Sequence, residues 1–448
     1  MVVHPVLLIA IPLIAAFIIP LAKKYGFAIA AGAMAFNMGY AIGMFSYIYS
    51  HGKIYEMIAG FKPPVGIFLA VDALSALLAL LISLFAFINF IAIGKEWNYK
   101  FSMLYLLAIA GSTGIVLTGD IFNMFVFFEI TAVASYALIA GKKDEKAIEG
   151  AIKYMVLGSI ASIFILMGIA LIYSQLKTLN IYDIATRISS MDEKIKWASF
   201  ALLLTGIGVE AEIFPLNGWV PAAYQGASSG VASLLSFGPS KAAIYAIARI
   251  MMVIFPFHAT YEIALYVGVV TLVIGELAAF MQEDVKRMLA YSSIGQMGLI
   301  LIAFSLASQN IQNALIAAFF LIISHASAKS SLFLLSRSPS MGGAACKYTG
   351  IVGVLSIIGM PPLAGFWGKW YLMLAAINEK LWLVIMLVFF AGIVEAGYFA
   401  RYLHKSMGNE SKLNLRYKVA MVVMVSFTIL LGLLPIAYKM ASLPLWGW

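Results

Sequence analysis

Apolar residues run along this chain in long unbroken blocks, and polar residues gather in the short intervals between them. A helix of about twenty apolar residues matches the roughly 30 Å hydrocarbon core of a bilayer. Fourteen such spans are predicted, near 3–22, 27–50, 67–93, 101–118, 121–140, 150–174, 197–214, 231–254, 261–281, 288–308, 312–336, 348–377, 381–403 and 418–440. The seventh continues past a break to about residue 230, and the twelfth is also broken. The blocks are continuous rather than alternating, which excludes a β-barrel. The predicted fold class is therefore an all-α polytopic membrane protein. The longest polar interval, Gln175 to Lys196, reads as a surface loop with an amphipathic turn.

The two broken spans carry related sequences: Phe214-Pro215-Leu216-Asn217-Gly218-Trp219 in span 7 and Pro361-Pro362-Leu363-Ala364-Gly365-Phe366 in span 12. Proline removes a backbone donor and clashes with the preceding turn, and glycine relaxes the chain, so each helix should be interrupted there. The breaks lie five spans apart. An odd number of spans per unit reverses orientation, so spans 4–8 (101–256) and 9–13 (257–405) are expected to be inverted repeats. A three-helix segment (1–100) precedes them and span 14 (406–448) follows. Discontinuous helices at matching places in inverted repeats place an ion path near the breaks; two ordinary proline kinks would leave the same residues without a repeat. A weaker echo pairs Gly238–Arg249 with Gly392–Arg401, setting Lys241 against Glu395.

Of the 448 residues, 63% are hydrophobic and 11% charged, with a mean hydropathy of +0.98. A soluble domain of this composition would expose large apolar patches. The net charge of +9 comes from lysines and arginines in short loops, with no run long enough to track nucleic acid. Loops after odd-numbered spans hold sixteen of them (Lys23, Lys24, Lys95, Lys100, Lys142, Lys143, Lys146, Lys286, Arg287, Arg337, Lys347, Arg401, Lys405, Lys412, Arg416 and Lys418), and even-numbered loops with the C-terminal end hold eight. The positive-inside rule then puts both termini outside the cell membrane. Lys23 and Lys24 follow the first span, which suits a retained helix rather than a cleaved signal. Cys346 is the only cysteine, so neither a disulfide nor a cysteine-ligated metal cluster is available within the chain. No phosphate loop or paired-histidine metal motif occurs. Any redox or ATP chemistry must belong to a partner.

Against this background Glu129, Glu210, Lys241, Lys329, Lys369 and Glu395 stand out, because each lies inside a span. At a helix centre such a group costs roughly 2.5–3.5 kcal/mol. Lys241 is about ten residues into its span, on the order of 15 Å by helical rise, too deep to snorkel. Lys369 follows the second break closely. His325 and Lys329 are four apart and share a helix face, in a span made polar by Ser324, Ser327, Ser330 and Ser331. Histidine can relay protons near neutrality. Glu129 sits among aromatics, with Lys153 the nearest cation by chain order unless that lysine snorkels. Glu210 is about one turn before Pro215. Glu212 is expected to face another side, Asp72 and Asp120 to cap helices, and Glu276 to lie near a span end. A static set of ion pairs would use the same residue types.

These sequences resemble the antiporter-like subunits shared by respiratory complex I, Mrp-type Na⁺/H⁺ antiporters and energy-converting membrane-bound hydrogenases. The likeness rests on Val71-Asp72-Ala73-Leu74-Ser75, Phe128-Glu129 with Ser135-Tyr136, Glu149–Tyr154, Asp284–Gln296, His325–Lys329 and Pro361–Lys369. The resemblance implies a central line of ionisable groups. Glu129 would be the coupling acid, Lys241 the relay lysine, His325 and Lys329 the bridge, and Lys369 the terminal exchange residue. One departure concerns the place five residues before the span-7 proline. That place usually holds a lysine paired to the span-5 glutamate, and here it holds Glu210.

The leading expectation is an ion-translocating subunit that moves H⁺, with Na⁺ exchange as an alternative, beside other membrane subunits. If redox-driven, the complex would have a peripheral arm carrying iron–sulfur or other cofactors, with none in this chain. A non-conducting structural subunit and a stand-alone cation or solute transporter are the competing readings.

Overall fold

The computed structural model describes residues 3–61, 66–94, 98–308, 311–338, 340–406 and 413–433. Lys95, Lys412 and the last part of span 14 lie outside them. The helices are α1 Leu7–Ile18, α2 Gly26–His51, α3 Ala73–Ile93, α4 Tyr99–Leu117, α5 Ile121–Ala140, α6 Glu145–Leu176, α7 Ile181–Arg187, α8 Glu193–Glu210, α9 Val220–Gly226, α10 Ser229–Phe237, α11 Pro239–Arg249, α12 His258–Phe280, α13 Val285–Ser305, α14 Ile311–Leu335, α15 Ala344–Ile358, α16 Ala364–Asn378, α17 Trp382–Ser406 and α18 Leu415–Leu433. Among the described residues, eleven helical stretches are long and apolar enough to cross a membrane. The amphipathic turn expected between Gln175 and Lys196 is α7, which buries Ile181 and Ile184.

Short polar side chains start many of these helices by satisfying N–H groups that the first turn leaves open. Asp72 and Ser75 form a capping box on α3, and Asp120, Asp144, Asn180, Asp192, Ser228 and Asp284 each cap the helix that follows. Asp144 also pairs with Lys142 at 2.6 Å, and that bond holds its carboxyl below the usual carboxylate range.

Spans 7 and 12 are interrupted as expected. Span 7 divides into α8 and α9, and the Trp219 indole N–H donates to Val209 O across the gap (3.0 Å). Span 12 divides into α15 and α16, and Gly359 terminates α15 in the left-handed conformation (φ 89°). The Phe214-Pro215 and Pro361-Pro362 peptides are both cis. A third interruption divides span 8. Gly238 ends α10 and Pro239 opens α11, so Lys241 stands in the first turn after a break. The far end of α11 passes into a π-helical turn, Ile250–Ile254.

The all-α expectation also needs a local amendment. Strands β1 Ile54–Met57 and β2 Phe68–Val71 form an antiparallel hairpin, with Ile54 opposite Val71. Arg249 fixes this cap to the bundle. Its buried guanidinium donates to Ala70 O, Val116 O, and the hydroxyls of Tyr182 and Tyr245, at 3.1–3.4 Å.

Burial divides the helices into two groups. Ser229–Ile254 is buried along its whole length, and α13 and α14 nearly so, whereas α2, α6, α12, α17 and α18 keep much of their apolar surface outward. Exposed Ile152, Ile163, Phe389 and Ile393 mark those outer faces. Helix α14 packs against α10, α13, α15, α16 and α18 and forms the central post. Groups on the inner helices are thus screened from lipid by the outer ring.

Candidate functional site

The inner helices carry a file of ionisable side chains that runs from α5 to α17. At the α5 end, Glu129 is half-buried and accepts a hydrogen bond from Ser162 of α6. Lys153 is not its partner. It lies on the exposed face of α6 in a 2.5 Å pair with Glu149, one turn away.

Glu210 closes α8 and is buried, accepting the Tyr154 hydroxyl at 2.7 Å. Tyr154 in turn stacks on Trp219 (ring centroids 3.6 Å apart). Two residues on, Glu212 adopts a left-handed backbone (φ 62°), uncommon outside glycine. That turn sends its carboxylate away from Glu210, to accept the Tyr224 hydroxyl at 2.6 Å. Glu212 thereby enters the electrostatic range of Lys241 and Lys329. The two acids do face different sides, as the spacing suggested. Both sides prove to be interior.

Lys241 is 1% exposed. Its ammonium nitrogen meets the Ser240 hydroxyl (2.9 Å) and the Met297 sulfur (3.5 Å), with no carboxylate at ion-pair distance among the described residues. His325 comes next, fully buried, and both ring nitrogens lack a hydrogen-bond partner among the described residues. It lies in the field of Lys241 and Lys329. Lys329 donates to Leu289 O (3.0 Å) and faces Glu276 and Glu395.

Glu276 corrects the expectation of a bland span-end acid. It is fully buried, accepts the Tyr398 hydroxyl at 2.9 Å, and keeps its other oxygen unpaired among the described residues. The file ends at Lys369 and Glu395, a buried pair at 2.5 Å, with Gln296 donating to the second Glu395 oxygen at 2.6 Å. Asp72 and Asp120 have the capping roles expected of them.

The structure thus brings Glu210, Lys241, His325, Lys329, Lys369 and Glu395 into one interior file, with Glu129 at its rim. Lys153 stays outside it. Glu212 and Glu276 join it, as do three tyrosines that each donate to a carboxylate. Three bases, Lys241, His325 and Lys329, follow one another through the middle of the file with acids on either side, and the lysines there rest on neutral acceptors. Each can therefore change protonation without breaking a contact ion pair. Among the described residues, no group of three His, Cys, Asp or Glu is arranged to hold a metal ion.

Residues 118–394 match the family described as NADH:quinone oxidoreductase/Mrp antiporter, TM, a stretch that takes in most of this file. The chain belongs to that family. The N subunit of the NADH-quinone oxidoreductase of Desulforudis audaxviator is 30% identical over 430 residues, covering 89% of this chain and 85% of that one. The D subunit of the Na⁺/H⁺ antiporter of Alkalihalophilus pseudofirmus is 30% identical over 370 residues, covering 78% and 74%. A chain of the membrane-bound sulfane sulfur reductase, an archaeal respiratory membrane complex, superimposes with a TM-score of 0.90 at 34% identity, covering 98% and 96%. The NADH:quinone oxidoreductase/Mrp antiporter family thus accounts for the polytopic helical fold and for the resemblance drawn from the spans. These relatives are membrane subunits of multisubunit complexes.

Proposed function

We propose that this chain is the ion-translocating, antiporter-like membrane subunit of a multisubunit complex, relaying protons along the buried file. The observation that carries this reading is the continuity of the file. From Glu210 to Glu395, ionisable groups on α8, α11, α14, α12, α16 and α17 follow one another inside a shell of apolar helices. Each such group is costly in a bilayer, and a scaffold would need none of Lys241, His325 and Lys329 in sequence. Glu129, Lys241, the His325/Lys329 pair and Lys369 take the roles of acid, relay, bridge and terminal exchanger. The similar breaks in spans 7 and 12 support inverted repeats at 101–256 and 257–405, between an N-terminal segment (1–100) and a last span (406–448). The loop lysines and arginines support an orientation with both termini outside. Redox cofactors, where the complex is redox-driven, belong to its other subunits.

The test is ion flux in proteoliposomes containing the whole complex. Lys241→Ala and Lys369→Ala should each abolish transport while the complex still assembles. Transport that survives both changes would sink the relay and favour a structural role. Measuring H⁺ and ²²Na⁺ together distinguishes proton pumping from exchange.

A further inference from the structure

Among the described residues, neither Glu129 nor Glu210, the two acids of the first half of the file, has a cation at ion-pair distance. What lies between these two acids is a stripe of α6. Tyr154, Gly158 and Ser162 are spaced four apart and share one face of that helix. Ser162 donates to Glu129 and also to Gly158 O (3.0 Å). Tyr154 donates to Glu210 Oε2 (2.7 Å). Gly158, between them, supplies a gap.

That gap is filled from α5. A Cβ on Gly158 would overlap the Tyr136 hydroxyl and would touch Glu210 Oε1 at 3.4 Å. The phenol and the free oxygen of Glu210 therefore converge on the one position of α6 that carries no side chain. Tyr136 is seven residues beyond Glu129, on the same face of α5, and helical tyrosines lean toward the N-terminus, which is the direction of Glu129. Both Glu129 and Glu210 lie within electrostatic range of the Tyr136 oxygen. Its ring is held edge-on to Tyr154, with centroids 4.8 Å apart. A phenol both donates and accepts, so it can hand a proton from one carboxyl group to another.

We propose that the Tyr136 phenol, seated over Gly158, passes protons between Glu129 and Glu210, so that this half of the chain conducts by carboxylate–phenol–carboxylate hops where a glutamate–lysine pair is usual. The Tyr136 hydroxyl bonds to neither acid at rest, so a hop begins when it swings onto both: the phenol then takes a proton from the Glu129 carboxylic acid as it releases its own to the Glu210 carboxylate. One O–H bond forms at the phenol and one breaks. The phenol is unchanged apart from its direction, and one proton has moved.

This rests on the ion-translocating reading, so the test carries a control for it. In proteoliposomes of the whole complex, Tyr136→Phe should lower H⁺ flux at least tenfold with assembly intact. Gly158→Ala should do the same although the phenol is present, because the added methyl group displaces it. Replacing Tyr136 with 3,5-difluorotyrosine keeps its shape but changes its acidity. It should alter the flux, which a packing role would leave unmoved. If Lys369→Ala stops transport but Tyr136→Phe and the fluorinated variant both run at the wild-type rate, the phenol relay is wrong and the broader reading stands. If Lys369→Ala also leaves transport untouched, the broader reading has failed.

Discussion

Lys369 Nζ on α16 stands 2.5 Å from Glu395 Oε2 on the neighbouring α17, and both side chains are buried. Lys369 also donates to Ile358 O at 3.1 Å, the last carbonyl of α15. The interruption of span 12 thus has a chemical use. It frees a backbone acceptor at the depth where the lysine sits, and the charge is shared among carboxylate, carbonyl and, through Gln296, a neighbouring amide.

Removing one member of this pair should therefore be worse than removing both. Lys369→Met leaves a buried carboxylate without its cation, for which about 3–5 kcal/mol is the usual cost. Lys369→Met combined with Glu395→Met should recover most of that stability and none of the transport. Thermal unfolding of the purified complex reads the first quantity and proteoliposome flux the second. A double variant as unstable as the single one would show that the pair's environment, not its charge balance, sets the cost.

The two breaks look alike in sequence, yet their glycines have different physical tasks. A Cβ on Gly365 would overlap Ser356 O and crowd the Ser324 hydroxyl, so α16 starts in contact with the backbone of α15. A Cβ on Gly218 would meet only Leu157, at 4.0 Å. Gly365→Ala should thus cost about 1–3 kcal/mol through overpacking, and Gly218→Ala should be nearly neutral. Detergent-resistant melting of the two variants checks the difference. Equal losses would mean that conformational freedom rather than close approach is what both positions need.

Most of the architecture was legible in the sequence because its signals were long. Spans of about twenty apolar residues, proline–glycine interruptions and aspartates at span starts each have one main physical outcome in a bilayer. The site was legible where a charge lay mid-span, as with Lys241, Lys329, Lys369 and Glu395. Glu276 lies near a span end, but distance from a span end does not measure solvent access, and the acid is fully buried. In the structure α17 covers that end, with Tyr398 laid over the acid. Tyr154, Tyr224 and Tyr398 were missed because a buried tyrosine reads as an apolar aromatic until its hydroxyl's partner is known. Chain order brings Lys153 near Glu129, whereas its helix face turns it outward to Glu149, the snorkelling alternative. The hairpin's strands are four residues each: β1 is mixed in polarity, and the wholly apolar β2 reads as the start of the third span.

Lys153 therefore gives a prediction in the opposite direction. Its pairing with Glu149 is exposed and local to one turn of α6, and such pairs contribute little. Lys153→Ala should leave the melting temperature and the H⁺ flux of the complex within experimental scatter. A large loss of flux with unchanged stability would return this lysine to the conducting path, reached from the outer face of α6.

Glu276 is the sharper case, since nothing but burial and contacts argues for it. Gly295 on α13 makes room for it, for a Cβ there would overlap Glu276 Oε1, and Ser292 bonds the Tyr398 hydroxyl at 2.6 Å from the other side. The acid also faces Lys329 and Glu395, between the bridge and the terminal pair. Glu276→Gln keeps the shape and an oxygen acceptor for Tyr398 but cannot carry the proton, so the complex should assemble normally and lose transport at least tenfold. Tyr398→Phe removes a donor from a buried carboxylate and should instead cost about 1–3 kcal/mol of stability, with a smaller effect on flux. Should Glu276→Gln transport at the wild-type rate, the proton passes directly from Lys329 to the Lys369–Glu395 pair, and Glu276 serves only to balance the charge of the lysines around it.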